Sequence, residues 1–287
     1  MINLQNLSYR YGKGVNALDD VTAQIPPGLH LLLGENGSGK TTLLHVIAGL
    51  RLAQPADSCM IDGVPTASRT LPLSSEVFIL TDSMTFPYNT IAEMVRYHAP
   101  FYPTFSHEQL RRNLEAFGMD GNEPIDRFSL GNRKKAQLAY ILALRPRVLL
   151  LDEPANGLDI SARDTLVHML AENMSDEQIV IVSTHVVFDF KNIVDSVMVL
   201  SHGKLLLSMP VWDIVERLSF ISAPLPPANA LYIQQSIGRF DAIVPNDGGD
   251  ATDIDFVVFY NALQSNSRMQ LLNLLGGKNP VSQSNIE

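Results

Sequence analysis

The residues Gly34-Glu35-Asn36-Gly37-Ser38-Gly39-Lys40-Thr41 follow the spacing G-x-x-x-x-G-K-[ST], a pattern suited to cradling phosphate. Ordinary residue usage yields it by chance in roughly one chain in a hundred of this length. Its glycines let the backbone curl until successive N–H groups point inward at phosphate oxygens. A helix starting near Lys40 adds a partial positive charge at the same spot. Lys40 then reaches the β- and γ-phosphates of a bound nucleotide, and the Thr41 hydroxyl binds Mg²⁺. A second constellation lies far down the chain, where the apolar run Val148-Leu149-Leu150-Leu151 ends in Asp152-Glu153. An aspartate at the end of a strand beside the phosphate loop can hold Mg²⁺ through its water shell. The adjacent Glu153 faces the γ-phosphate as a general base for water.

These groups need a frame that brings them together. Short apolar runs alternate with helical patterns up to about residue 218, which predicts an α/β fold with a largely parallel sheet. Leu29–Leu33 reads as a buried strand running straight into the glycine-rich turn. A helix follows from Lys40 to Leu50, with Leu43, Leu44 and Ile47 on one face. Further buried strands are Val77–Leu80, Val148–Leu151 and Ile179–Val182, and Val194–Leu200 with Lys204–Leu207 reads as a hairpin about His202-Gly203. From about 83 to 144 the strand signal gives way to a helical insertion. Its stretch Tyr97–Phe105 is aromatic and broken by prolines, so it is a loop between helices, its rings assigned to helix packing. Pro224-Leu225-Pro226-Pro227 looks like a linker. Residues 228–262 are expected to form a few strands and one helix, and the end from Gly276 to Ser284 is read as a frayed tail.

Composition narrows the function further. The 287 residues are 46% hydrophobic and 18% charged, enough for roughly two average globular domains. A net charge of −9 argues against nucleic acid as a partner. The single Cys59 excludes an intrachain disulfide and a cysteine-rich zinc site. The N-terminus lacks the pattern of a signal peptide, and no apolar run is long enough to span a bilayer. A cytosolic protein is expected.

Taken together, Gly34 to Thr42, Phe128-Ser129-Leu130-Gly131-Asn132, Leu151-Asp152-Glu153-Pro154, Asn156-Gly157-Leu158-Asp159 and Ser183-Thr184-His185 resemble the ATPase subunit of an ABC transporter. The likeness covers about residues 1 to 210. Within that family, Phe101-Tyr102-Pro103 and Glu153–Asp159 most resemble bacterial ABC-2-type exporters linked to peptide-antibiotic resistance. The resemblance implies a P-loop NTPase fold with a parallel core sheet, an antiparallel β subdomain and a helical subdomain at about 83–144. The ATPase domain is then residues 1–218, and residues 219–287 form a small C-terminal extension.

The same resemblance implies roles residue by residue. Gly34, Asn36, Gly37, Ser38, Gly39, Lys40, Thr41 and Thr42 bind ATP, while Thr41 and Asp152 hold Mg²⁺. Tyr11 matches the aromatic that stacks on adenine, Tyr9 being out of step by two. Lys40, Glu153 and His185 form the catalytic set, His185 matching the switch histidine at the γ-phosphate. Ser129 and Gly131 match the signature that contacts nucleotide held by a second ATPase subunit, and Asp159 matches a loop crossing that interface. Two departures stand out. Leu130 and Asn132 replace a glycine and a glutamine of the usual signature, and Thr81, beside Asp82, stands where the family has a metal-binding glutamine. The implied partners are membrane permease subunits on separate chains and a second ATPase subunit, a homodimer being favoured over a heterodimer. The implied place is the cytoplasmic face of the membrane. A soluble single-cassette ATPase in an assembly pathway, such as iron–sulfur cluster biogenesis, is the competing expectation.

Overall fold

The computed structural model describes residues 1–276 apart from 13, 83–84, 86–87, 122, 185–189 and 250–251. The chain opens with strands β1 (Ile2–Arg10) and β2 (Asn16–Ile25), then β3 (Gly28–Leu33) and helix α1 (Lys40–Ile47). Strands β4 (Cys59–Ile61) and β5 (Val64–Pro65) return to β1. Helix α2 (Leu71–Glu76) leads into β6 (Val77–Leu80), followed by α3 (Ile91–Tyr97), α4 (His107–Ala116) and α5 (Leu130–Leu144). Next come β7 (Val148–Asp152), α6 (Ile160–Asn173) and β8 (Ile179–Ser183), then the hairpin β9 (Ser196–Ser201) and β10 (Lys204–Pro210). The remainder is α7 (Val211–Arg217), β11 (Leu218–Ala223), β12 (Tyr232–Ser236), β13 (Arg239–Pro245), α8 (Phe256–Gln264) and α9 (Arg268–Leu275).

Three sheets result: an antiparallel sheet β2-β1-β4-β5, a six-stranded sheet β10-β9-β3-β8-β7-β6, and a small sheet β11-β13-β12. In the six-stranded sheet every pair is parallel except the edge pair β9–β10. Its strands read as unbroken apolar runs because both faces are covered. Leu32, Leu150, Ile181 and Met198 face a core shared with α1 and the antiparallel sheet. The opposite face is divided between two covers. Phe78, Leu149, Leu151 and Val182 pack under the helical segment and α6. Leu31, Leu33, Val197 and Val199 pack under α7, β13, α8 and α9.

That division changes the reading of the C-terminal part. Pro224–Pro227 joins β11 to β12 within the small sheet, because β11 pairs with β13 from Leu218↔Pro245 to Ala223↔Phe240. Prolines punctuate the chain locally, whereas this pairing is made by residues far apart in sequence. Residues 228–262 hold β12, β13 and most of one helix, α8, and a second helix, α9, follows beyond that range. Part of the expected tail, residues 277–287, lies outside the described residues. In the aromatic loop, Tyr102 and Phe105 pack on the core of the helical segment, while Tyr97 and Phe101 are exposed.

Candidate functional site: the phosphate loop and the acid pair

Strand β3 delivers the chain to Gly34 at the carboxyl edge of the parallel sheet, the end at which ligands bind in open α/β sheets. The loop is held tightly by backbone. A side chain at Gly34 would lie 2.4 Å from the Leu200 carbonyl oxygen and 2.4 Å from Ser38 Oγ. Gly39 has φ +108°, and a Cβ there would meet the Ala17 carbonyl at 2.5 Å. Only glycine fits either position. The Gly203 N–H donates to the Ser38 carbonyl at 2.9 Å, tying the β9–β10 turn to the loop. Ser38 Oγ is buried without a hydrogen-bond partner among the described residues. A buried orphan hydroxyl just ahead of the α1 N-terminus fits a phosphate oxygen.

Lys40 and Thr41 occupy the first turn of α1, whose N-terminus has no acidic residue in its first turn. Lys40 is buried, and its Nζ donates to the carbonyls of Gly34 at 2.7 Å and Glu35 at 3.2 Å. Burial pushes this ammonium below the ordinary lysine range, and the charges of Glu153 and Asp152 pull it back. The Thr41 hydroxyl donates to Asp152 Oδ2 at 2.7 Å. The Ser183 hydroxyl donates to the other oxygen, Oδ1, so Asp152 is fixed from both sides. Ser183 is a member of the site that the sequence named only as part of a longer phrase. It ends the apolar strand β8 and lies in register with Asp152.

Glu153 leaves β7 with φ +49°, a left-handed backbone that non-glycine residues seldom adopt. Its N–H donates to the Ser183 carbonyl at 2.8 Å, which holds the turn. Strain of this kind recurs where a side chain must be aimed. Lys40, Thr41, Asp152 and Glu153 are therefore assembled at one sheet edge from elements far apart in sequence. The set can bind a polyphosphate, and a carboxylate stands by to polarise water.

A divalent cation arriving with such a phosphate would meet hard oxygen donors in Thr41 and Asp152. A phosphate-borne Mg²⁺ needs few protein ligands of that kind. Among the described residues no group of three or more His, Cys, Asp or Glu is placed to hold a metal unaided. The donors thus fit a metal that comes with its nucleotide. Thr81 follows Leu80, which pairs with Leu151, so it sits at the strand end beside Asp152.

The remaining predicted residues lie around this centre. Tyr11 is 47% exposed, bonds through its hydroxyl to Thr42 Oγ1 at 3.1 Å, and packs edge-on against Tyr9. The Arg51 guanidinium lies 5.3 Å from the centre of the Tyr11 ring. Ser129 caps α5, its hydroxyl accepting from the Asn132 N–H at 3.2 Å. A Cβ on Gly131 would lie 3.4 Å from the Gly157 carbonyl, so the signature turn and the loop before α6 are neighbours. Asp159 caps α6 and accepts from Lys135 Nζ at 2.9 Å, which holds its carboxyl below the usual range. Helices α1 and α5 belong to cores on opposite faces of the sheet, so Ser129 is carried on the face opposite the helix that the phosphate loop feeds. His185 lies outside the described residues.

A phosphate-cradling loop and an acid pair on one edge of a mostly parallel sheet define a P-loop ATPase. A family model described as ABC transporter matches residues 18–156. The ABC transporter ATP-binding protein NatA of Bacillus subtilis is 30% identical over 219 residues, 72% of this chain and 88% of that protein. The chain belongs to the ATP-binding subunits of ABC transporters and is an ATPase. It is also similar to an energy-coupling factor transporter ATP-binding protein of Streptococcus thermophilus, 29% identical over 267 residues, 84% of this chain and 94% of that protein. A solved dimeric ATP-binding cassette, bound to ADP and phosphate after hydrolysis, shares the fold. Its TM-score is 0.60 at 23% identity, covering 74% of this chain and 99% of that one. Among the described residues no helix is long and apolar enough to cross a membrane.

Proposed function

We propose that this ATPase is the motor of an exporter, pairing with a second copy around two ATP molecules to drive separate permease chains at the cytoplasmic face of a membrane. The observation that carries the reading is the Thr41–Asp152 hydrogen bond at 2.7 Å, with Lys40 over the loop and Glu153 next in sequence. In it, Gly34, Asn36, Gly37, Ser38, Gly39, Lys40, Thr41 and Thr42 bind the phosphates, and Tyr11 faces the adenine. Thr41 and Asp152 are the protein ligands of Mg²⁺, which when bound neutralises phosphate charge. Glu153 takes the proton of the attacking water, and His185 supports the γ-phosphate.

Pairing is supported by the placement of Ser129 and Gly131 at the start of a helix packed on the face opposite α1. It is supported too by Leu130 and Ile160, apolar residues in the first turns of α5 and α6 that are 78% and 79% exposed beside the signature and Asp159. Residues 1–218 are taken as the cassette, with its helical subdomain at 83–144, and 219–287 as an extension bracing it. Light scattering of Glu153→Gln with Mg²⁺ and ATP tests the pairing: a dimer is expected, and a persistent monomer overturns it.

Export is supported by the likeness of Phe101–Pro103 and Glu153–Asp159 to ABC-2-type exporters. Import is the second reading, favoured by the energy-coupling factor relative, whose similarity runs over 84% of this chain. Inverted membrane vesicles, which present the cassette to added ATP, separate the two. Export fills them with cargo and import empties them.

A further inference from the structure

Between the exit of β6 and the first turns of α5 lies a cleft of about 400 Å³ bordered by Asp82, Lys134, Gln137, Asn156 and Gly157. Lys134 is the buried cation in it, its side chain 9% exposed and its Nζ 3.8 Å from Asp82 Oδ1. Asp82 stands two residues beyond Leu80, the register partner of Leu151. The ion pair is thus set beside the strand ends that carry Asp152 and Glu153. All three carboxylates act on this ammonium through their charge, against the burial that lowers its pKa. Desolvating a lysine there is costly unless the acids need it.

We propose that Lys134 is a positioning residue of the nucleotide site, a built-in counter-ion to Asp82, Asp152 and Glu153 that sets how much divalent cation the site demands. The proposal rests on the reading of Asp152 as a metal ligand. A fixed positive charge beside a cation site repels the incoming cation, and a fixed negative charge attracts it. Lys134 and Asp82 hold each other in place, yet they bias the site in opposite directions. That opposition separates an electrostatic role from a merely structural one, because losing either partner breaks the same contact.

The test is a Mn²⁺ titration of the full chain holding a non-hydrolysable ATP analogue, read by electron paramagnetic resonance. Lys134→Met should lower the half-saturating Mn²⁺ concentration about three- to tenfold. Asp82→Asn should raise it, and Lys134→Arg should match the wild type. Lys134→Gln serves if the methionine variant does not fold. Shifts in the same direction for Lys134→Met and Asp82→Asn would overturn the proposal. So would an unmoved Lys134→Met alongside an Asp152→Asn that binds Mn²⁺ more weakly. An Asp152→Asn variant with unchanged Mn²⁺ affinity would instead remove the metal reading of Asp152, and this proposal with it.

Discussion

The Lys40 ammonium bridges the carbonyls of Gly34 and Glu35 at the mouth of the phosphate cradle, so it closes the loop as well as offering charge. Lys40→Ala removes the main point charge available to the β- and γ-phosphates and should weaken ATP binding at least about thirtyfold. Isothermal titration measures this, and wild-type affinity would refute the assignment of the loop. Glu153→Gln keeps size and the left-handed backbone but cannot accept the water proton. Turnover should fall about a hundredfold or more while ATP binding persists. Unchanged turnover would mean that another group is the base. Lys40, Thr41, Asp152 and Glu153 were legible because each chemistry demands those residue types at a strand end or at the start of the helix that follows a glycine-rich turn. Ser183 and Lys134 were not. A serine closing an apolar strand has no distinguishing signal, and Lys134 sits in the run Arg133-Lys134-Lys135, which reads as a solvated face until the fold buries its middle member.

At the scale of elements, legibility followed burial. Strands β3, β7 and β8 are covered on both faces and stand out as apolar runs. Strand β12, Tyr232-Ile233-Gln234-Gln235-Ser236, is half-exposed along its length and has no such pattern. Helix α8 shows how far the C-terminal elements are bound into the cassette. Its Phe259 is fully buried in the core that contains Leu31 and Leu33 of the strand feeding the phosphate loop. Phe259→Ala should cost about 3–5 kcal/mol of stability in urea unfolding. A loss under about 1 kcal/mol would show that this core is not shared. Three partly or fully buried histidines set a pH limit. Burial lowers the pKa of His30, His45 and His98, so the folded chain binds these protons less tightly than the unfolded chain does. Their contribution is complete above the unfolded value near 6.5 and is lost as pH falls below it. The melting temperature should therefore drop between pH 7.5 and 5.5, and a flat or rising profile would contradict the assignment.

At the scale of the whole molecule the separation of two half-sites is decisive. The phosphate loop feeds a helix on one face of the sheet and Ser129 caps a helix on the other, so on the proposed pairing each working site draws on a neighbour. If two copies pair about a two-fold axis, each site takes one half from each. Lys40→Ala and Ser129→Arg should each be nearly inactive. Mixed, they form dimers in which one site carries both lesions and the other neither, so part of the ATPase activity should return. Exchange of subunits without recovered activity would show that the signature does not serve its twin.

The divided cover of the six-stranded sheet also bears on how the protein is made. Strand β10, the last of that sheet, ends at Pro210, and the elements that shield Leu31, Leu33, Val197 and Val199 run on to Leu275. At synthesis rates of about 5–20 residues per second, those 65 or so residues keep the ribosome busy for roughly 3 to 13 seconds. During that interval one half of a sheet face lacks its full cover, α7 arriving first and α9 last. A message that ends early would thus release a chain whose Leu31, Leu33, Val197 and Val199 lack part of their cover, and such a chain is expected to aggregate.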